Sequence, residues 1–82
     1  MLLAAQVSIY PLRQLSLSPT IEQALGVFRS YGLEVTPGPM SSMVLGEDEV
    51  LFGALREAFR QTAREAEIVM TLTLSNACPV SR

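Results

Sequence analysis

The Pro37-Gly38-Pro39 turn near the middle of the chain constrains the fold more than any other feature. Glycine tolerates positive φ, and proline fixes its own φ and lacks an N–H donor, so this tripeptide favours a chain reversal. Short segments with strand-like alternation flank it, at residues 33–36 and 41–46. Because so few residues separate them, we expect the two segments to pair as an antiparallel hairpin.

Two further strands are predicted outside the hairpin. Residues 3–10 alternate, with Ala5, Val7 and Ile9 on one side and polar residues on the other. Residues 67–75 alternate most clearly, with apolar side chains at every second position. A period of two is typical of half-buried strands.

The two connections between these strands carry helical patterns. Ser18-Pro19 is the predicted N-cap and first position of one helix, and Gly32 is its predicted end. A second helix is predicted from about residue 48 to 64, after the acidic residues 47–49, which favour a helix N-terminus. Their apolar faces follow the spacing of buried helices. These faces comprise Ile21, Ala24, Leu25 and Phe28, and Leu51, Ala54, Leu55, Ala58 and Phe59.

The resulting element order is βαββαβ. Two amphipathic helices must cover a sheet, and right-handed crossovers around a central hairpin give a ferredoxin-like α+β fold. We therefore predict a four-stranded antiparallel sheet in the order 4-1-3-2, with both helices on one face. Residues 1–75 form a single domain in this interpretation, and residues 76–82 form a C-terminal tail.

The sheet face without helices is the predicted functional surface. Its four large apolar side chains, Tyr10, Met43, Leu45 and Val69, are typical of an interaction site. One interpretation is a pocket in which hydroxyls and an aromatic ring bind a planar polar ligand. The other is a homo-oligomer interface, and the two are compatible. The nine positions assigned to this face are Gln6, Ser8, Tyr10, Ser41, Met43, Leu45, Val69, Thr71 and Thr73.

Composition excludes several classes of function. The chain has six Arg, no Lys and a net charge of −2, which argues against nucleic-acid binding. It has one Cys and no His, so neither a Cys2His2-type metal site nor an internal disulfide is expected. No cofactor is predicted. The apolar start lacks a preceding basic residue, and no apolar run approaches a membrane span, so we expect a cytoplasmic protein.

Other candidate sites have simpler explanations. The stripe Arg56, Arg60 and Arg64 would suit phosphate or an acidic partner, but a solvated helix face explains it. Residues 47–49 would suit a cation, but the helix dipole and a cap explain them. Cys78 has no histidine to activate it, and no acid–base pair is evident, so we expect no catalysis.

Two motifs resemble the thiamine-binding YkoF/YqgV-like family of small ferredoxin-like proteins. Residues 7–12, Val-Ser-Ile-Tyr-Pro-Leu, are similar to the family's first-strand motif. Residues 38–42, Gly-Pro-Met-Ser-Ser, and 44–47, Val-Leu-Gly-Glu, are similar to its Gly-x-Met-Ser-Thr and Glu-Gly signature. The likeness spans residues 5–75.

The resemblance implies a non-enzymatic protein that binds thiamine or its hydroxymethylpyrimidine part, and that forms homodimers or tetramers through its sheets. Carried over by position, Ser8, Tyr10, Ser41 and Ser42 would be ligand-side groups. Ser42 replaces the family's Thr and keeps the hydroxyl. Leu45 replaces the family's Glu, a natural partner for a pyrimidine amino group or a thiazolium charge, so the ligand's identity stays open. A structural or regulatory homo-oligomer without a ligand is the alternative.

Overall fold

The chain forms one antiparallel sheet that is covered on one face by two helices. The computed structural model describes residues 1–77, and its elements follow the order βαββαβ. They are β1 (Leu2–Pro11), α1 (Ser18–Ser30), β2 (Glu34–Pro37), β3 (Ser42–Glu47), α2 (Asp48–Ala63) and β4 (Ile68–Ser75). The strand order is β2-β3-β1-β4, so the predicted ferredoxin-like α+β fold is confirmed.

The hydrophobic core lies between the sheet and the helices. Alternate residues of β1 face it, because successive side chains of a strand point to opposite sides. Phe28 of α1, Leu51 of α2 and Val44 of β3 are its largest fully buried side chains. Through these three residues, both helices pack against the centre of the sheet.

The main-chain groups of β1 point alternately to its two neighbours. The Leu12 N–H donates to the Glu67 carbonyl oxygen at 2.8 Å, on the β4 side. The Asp48 N–H donates to the Met1 carbonyl oxygen at 3.0 Å, on the β3 side. Because the direction alternates along an antiparallel strand, even-numbered residues of β1 pair with β4 and odd-numbered residues pair with β3.

The ends of both helices differ in detail from the sequence prediction. Leu17 is the N-cap of α1 and already has helical backbone angles, so Ser18 lies inside the helix and supplies no cap. Gly32 ends the helix with φ of 78°, a conformation that glycine adopts without a Cβ penalty. Glu47 caps α2 with extended backbone angles but makes no side-chain hydrogen bond to it.

The acidic residues at the start of α2 contact the chain's first residue instead of capping the helix. The Met1 amino group donates to Glu47 Oε1 at 2.9 Å and to Asp48 Oδ1 at 3.3 Å. These hydrogen bonds raise the pKa of the Met1 amino group, and the bond from Met1 lowers the pKa of Asp48. All of these groups are exposed, so water screens the pairs.

Asn76 and Ala77 follow β4, whereas Cys78 and the rest of the predicted tail lie outside the described residues. Within residues 1–77, no helix combines the length and apolar character needed to cross a lipid bilayer.

Candidate functional site

A cavity lies where the pairing between β1 and β3 ends. The last registered pair is Val7 with Ser42, and β1 continues to Pro11. The next positions in register would be Ile9 and Met40, but no hydrogen bond joins them. The chain turns away there, and the Gly38 N–H donates to the Ser41 carbonyl oxygen at 2.9 Å. The second half of β1 therefore has one open edge.

The cavity has a volume of about 70 Å³ and an apolar floor. Helix α1 supplies that floor with Ile21, Leu25 and Phe28, and the hairpin loop supplies residues 38–42. The third wall is residues 7–9 of β1. The site therefore spans the plane of the sheet, with α1 on one side and the helix-free face on the other.

Polar groups line the rim of this cavity. The Ser8 hydroxyl donates to the Met40 carbonyl oxygen at 3.4 Å, and Gln6 Nε2 donates to Ser41 Oγ at 3.1 Å. Ser42 is only 7% exposed, and its hydroxyl makes no hydrogen bond to another residue that the structure describes. The Ile9 N–H and C=O belong to the odd-numbered set, so they point to the side where β3 is missing.

The cavity is electrically neutral. None of its lining residues carries an ionisable side chain. Among residues 1–77, no group of three or more His, Cys, Asp or Glu side chains is placed to hold a metal ion. The site can therefore offer hydrogen bonds and apolar contact, but no charge.

Three of the five sequence-predicted site residues meet at the cavity, and two do not. Ser8, Ser41 and Ser42 line it, although Ser42 approaches from the helix side of the sheet. Tyr10 is paired with Val69, and Leu45 is paired with Ala4. Ala4 and Tyr10 are six residues apart along β1, or roughly 20 Å in a strand. One small ligand in the cavity cannot contact both Tyr10 and Leu45.

The sequence prediction missed the Ile9 peptide group and the α1 floor of the cavity. The unequal lengths of the predicted strands could have indicated that the Ile9 peptide group lacks a partner strand. The predicted first strand has eight residues and its neighbour 41–46 has six, so an overhang at the turn end follows from the hairpin position. No signal marked Leu25 or Phe28, because their spacing is that of ordinary core residues.

The helix-free face carries the predicted apolar side chains. Cross-strand pairs place Gln6 beside Met43 and Thr73, and Tyr10 beside Val69. Tyr10 is 39% exposed and Met43 is 40% exposed, whereas Leu45 and Val69 are half-buried. Within residues 1–77, no helix covers this face.

Known structures share this architecture. A hypothetical protein from Methanocaldococcus jannascii superposes with a TM-score of 0.87 and 26% identity, over 98% of this chain and 84% of that one. A Streptococcus pneumoniae protein gives a TM-score of 0.86 and 19% identity, over 99% of this chain and 92% of that one. A Thermotoga maritima protein, proposed to act in thiamine biosynthesis or salvage, gives 0.81 and 22%, over 92% and 83% of the two chains.

No curated protein matches the chain. The model of the YKOF-related Family does match, over residues 3–81, which is nearly the full length. A match of that extent covers both helices, all four strands and the hairpin that borders the cavity. The chain therefore belongs to the YKOF-related family.

Proposed function

We propose that the protein is a non-enzymatic binding protein for thiamine or its hydroxymethylpyrimidine part, and that the pyrimidine ring enters the cavity beside β1. Family membership and the Thermotoga maritima relative's proposed role in thiamine biosynthesis or salvage both support a thiamine-related role. The geometry of the cavity supports the choice of ring.

The unpaired Ile9 peptide group above an apolar floor is the observation that carries the proposal. A heteroaromatic ring has apolar faces and a polar edge. Leu25 and Phe28 suit the faces. The adjacent N–H donor and C=O acceptor of Ile9 suit an edge that has a ring nitrogen beside an amino group. The Ser8, Ser41 and Ser42 hydroxyls suit further polar substituents.

The neutrality of the cavity favours the pyrimidine part over the cationic thiazolium. A charge that leaves water without an opposite charge loses solvation free energy, whereas a neutral ring does not. Leu45, which replaces the family's Glu, lies away from the cavity and supplies no charge. We therefore expect hydroxymethylpyrimidine to bind at least as tightly as thiamine.

The small size of the cavity supports a ligand that one subunit encloses only in part. Its volume of about 70 Å³ is well below the ~300–1,000 Å³ of typical ligand pockets. Part of the ligand would therefore remain at the surface, on the helix-free face of the sheet or at a junction with a second subunit. The exposed Met40 side chain lies at this opening.

Calorimetric titration with hydroxymethylpyrimidine and with thiamine tests the proposal. Ser42→Val should weaken binding at least tenfold, because the added methyl groups replace a rim hydroxyl and enter the cavity. Ser75→Val is the matched control, since Ser75 is exposed on β4 and does not line this cavity. Absence of heat with either ligand at millimolar concentration would contradict the proposal.

An analogue of hydroxymethylpyrimidine without the amino group tests the Ile9 contact separately. It keeps the ring but cannot donate to the Ile9 carbonyl oxygen, so we expect at least about tenfold weaker binding. Equal affinity for both compounds would show that the Ile9 carbonyl oxygen does not contribute to binding, but it would not contradict binding of the ring in the cavity.

A ligand-free structural or regulatory homo-oligomer is the second candidate function. The half-exposed Tyr10 and Met43 on an uncovered sheet face favour it. Native mass spectrometry of protein purified from cells separates the two functions, since a co-purified small mass supports ligand binding. Sedimentation of Leu45→Glu tests the interface, because a buried unpaired carboxylate there should dissociate the subunits.

A further inference from the structure

Gln6 lies outside the cavity but contacts one of the residues that line it. It is an exposed residue of β1, opposite Met43 on β3 and Thr73 on β4, so strands on both sides fix its main chain. Its Nε2 atom donates to Ser41 Oγ at 3.1 Å. Ser41 lines the cavity and Gln6 does not, so Gln6 acts on a group in the cavity through Ser41.

Ser41 is held from two directions. The Gly38 N–H donates to its carbonyl oxygen at 2.9 Å, which fixes its main chain in the hairpin turn. The Gln6 side chain reaches it from β1 and fixes its hydroxyl oxygen. The position of the Ser41 hydroxyl is therefore set before a ligand arrives.

The direction of the bond from Gln6 determines what the Ser41 hydroxyl can offer. A serine hydroxyl has one proton to donate and two lone pairs that accept. Gln6 Nε2 is a donor, so it occupies a lone pair of Ser41 Oγ and leaves the Ser41 proton available. Among residues 1–77, no acceptor takes that proton. The Ser41 hydroxyl can therefore donate to a group in the cavity.

The Ser8 hydroxyl has the opposite arrangement. It donates to the Met40 carbonyl oxygen at 3.4 Å, so its proton is used within the protein and its lone pairs remain. Ser8 can therefore accept a hydrogen bond at the rim where Ser41 can donate one. The two residues have the same side chain but offer a ligand different polarity.

We propose that Gln6 is a positioning residue that orients Ser41 as a hydrogen-bond donor, and that Ser41 thereby selects a ligand whose ring substituent carries an acceptor oxygen. The proposal rests on the proposed binding of the pyrimidine part, in which Ile9 takes the ring nitrogen and the amino group. The hydroxymethyl group is then the remaining polar substituent, and its oxygen is the acceptor. Thiamine has no oxygen there, because its methylene carbon is bonded to the thiazolium nitrogen. The contact therefore distinguishes the free pyrimidine from thiamine.

Calorimetry of the wild-type protein with three compounds tests the polarity of this contact. They are hydroxymethylpyrimidine as the parent, its methyl ether, and the analogue with methyl in place of hydroxymethyl. The ether keeps the acceptor oxygen, so its affinity should lie within about twofold of the parent's. The methyl analogue lacks the oxygen and should bind about three- to tenfold more weakly, the usual effect of one neutral hydrogen bond.

The outcomes for the wild-type protein separate this proposal from the proposed function. A methyl analogue that binds as tightly as the parent, or an ether that binds at least about threefold more weakly than the parent, would overturn the donor role of Ser41. Absence of binding by the parent would instead contradict the proposed function itself.

Gln6→Leu removes the donor and keeps a side chain of similar size. The Ser41 hydroxyl then loses its fixed orientation, so the parent and the ether should bind at least about threefold more weakly while the methyl analogue is unaffected. Gln61→Leu is the matched control, because Gln61 Nε2 also donates to a side chain, Glu57 Oε2 at 2.9 Å, but on α2 and away from the cavity. That control should leave all three affinities unchanged, and equal effects of the two variants would overturn the proposal.

Gln6→Glu gives a readout that a merely structural role would not move. At neutral pH a carboxylate only accepts, so Glu at this position would take the Ser41 proton and leave only lone pairs for the ligand. The ether, which cannot donate, should then bind at least about threefold more weakly than the parent. The added charge acts equally on these neutral compounds, so it cancels in the ratio of their affinities. An ether that the Gln6→Glu protein binds as tightly as the parent would overturn the proposal.

Discussion

At the scale of single residues, position 46 requires glycine because of a neighbouring side chain and not because of its backbone angles. A Cβ at this position would overlap Leu33 Cδ2, and Leu33 is a buried core residue, so an added methyl group would have to displace it within the core. Gly46 lies in β3, where glycine otherwise weakens a strand. The glycine is therefore explained by the close packing of the segment between α1 and β2 on the sheet.

Gly46→Ala should lower the free energy of unfolding by about 1–3 kcal/mol, the usual cost of overpacking a core. Gly26→Ala is the matched control, because no atom lies within 4 Å of a Cβ there and Gly26 is exposed within α1. That control should stabilise the protein by roughly 0.5–1 kcal/mol. Urea denaturation measures both, and a neutral Gly46→Ala would show that Leu33 can move aside.

The absence of ionisable side chains around the cavity predicts how binding depends on pH. Protein groups at the site neither gain nor lose protons, so affinity should stay constant at pH values above the pKa of the ligand. Below that pKa the ring becomes a cation, and a cation loses solvation free energy in a cavity without an opposite charge, so affinity should fall. Calorimetry in several buffers measures this, and a pH dependence above the ligand's pKa would implicate a protein group outside the cavity.

At the scale of elements, one side chain of helix α1, that of Phe28, belongs both to the core and to the cavity lining. Phe28 is fully buried in the core and also contributes to the cavity floor. Phe28→Ala should lower the free energy of unfolding by about 3–5 kcal/mol, as expected for a large-to-small core change. Leu15→Ala, which truncates a fully exposed side chain, should change it by less than about 0.5 kcal/mol. Thermal or urea unfolding of both variants provides the measurement, and equal effects would be inconsistent with the core position of Phe28.

The elements were predictable from sequence because each one has its own period and its own terminator. A few consecutive residues are enough to recognise each of these signals. They are the alternation in β1 and β4, the Pro37-Gly38-Pro39 turn and the Gly32 helix end. The cavity was not predictable in the same way. It forms because β1 extends beyond the end of its pairing with β3, and because α1 packs near the hairpin loop. Both features depend on segments that are far apart in the sequence, so no single local pattern predicts them.

Ser42 illustrates the limit for side chains. Its neighbour Ser41 lies on the open face, so the alternation of the strand turns Ser42 toward the helices. The family motif indicated both hydroxyls but not their opposite directions. Both reach the cavity only because it spans the plane of the sheet.

At the scale of the whole molecule, the helix-free sheet face around Tyr10 and Met43 is the proposed contact between subunits. Wild-type protein should sediment as an oligomer at micromolar concentration, because removing these side chains from water favours association. Leu45→Glu should shift the protein toward monomers, since a buried unpaired carboxylate opposes the contact. A monomeric wild type would contradict the assignment of this face as an interface.

A recognition group of the kind proposed for Ile9 belongs to the main chain, so most mutations cannot delete it. Every codon at position 9 except those for proline supplies the same N–H and C=O. Natural selection would then act on the length of the β1 overhang and the position of the hairpin, rather than on the residue at position 9. Under this proposal, substitutions at the rim and floor of the cavity would alter which ligand shapes it accepts, while the hydrogen-bonding edge of β1 stayed the same.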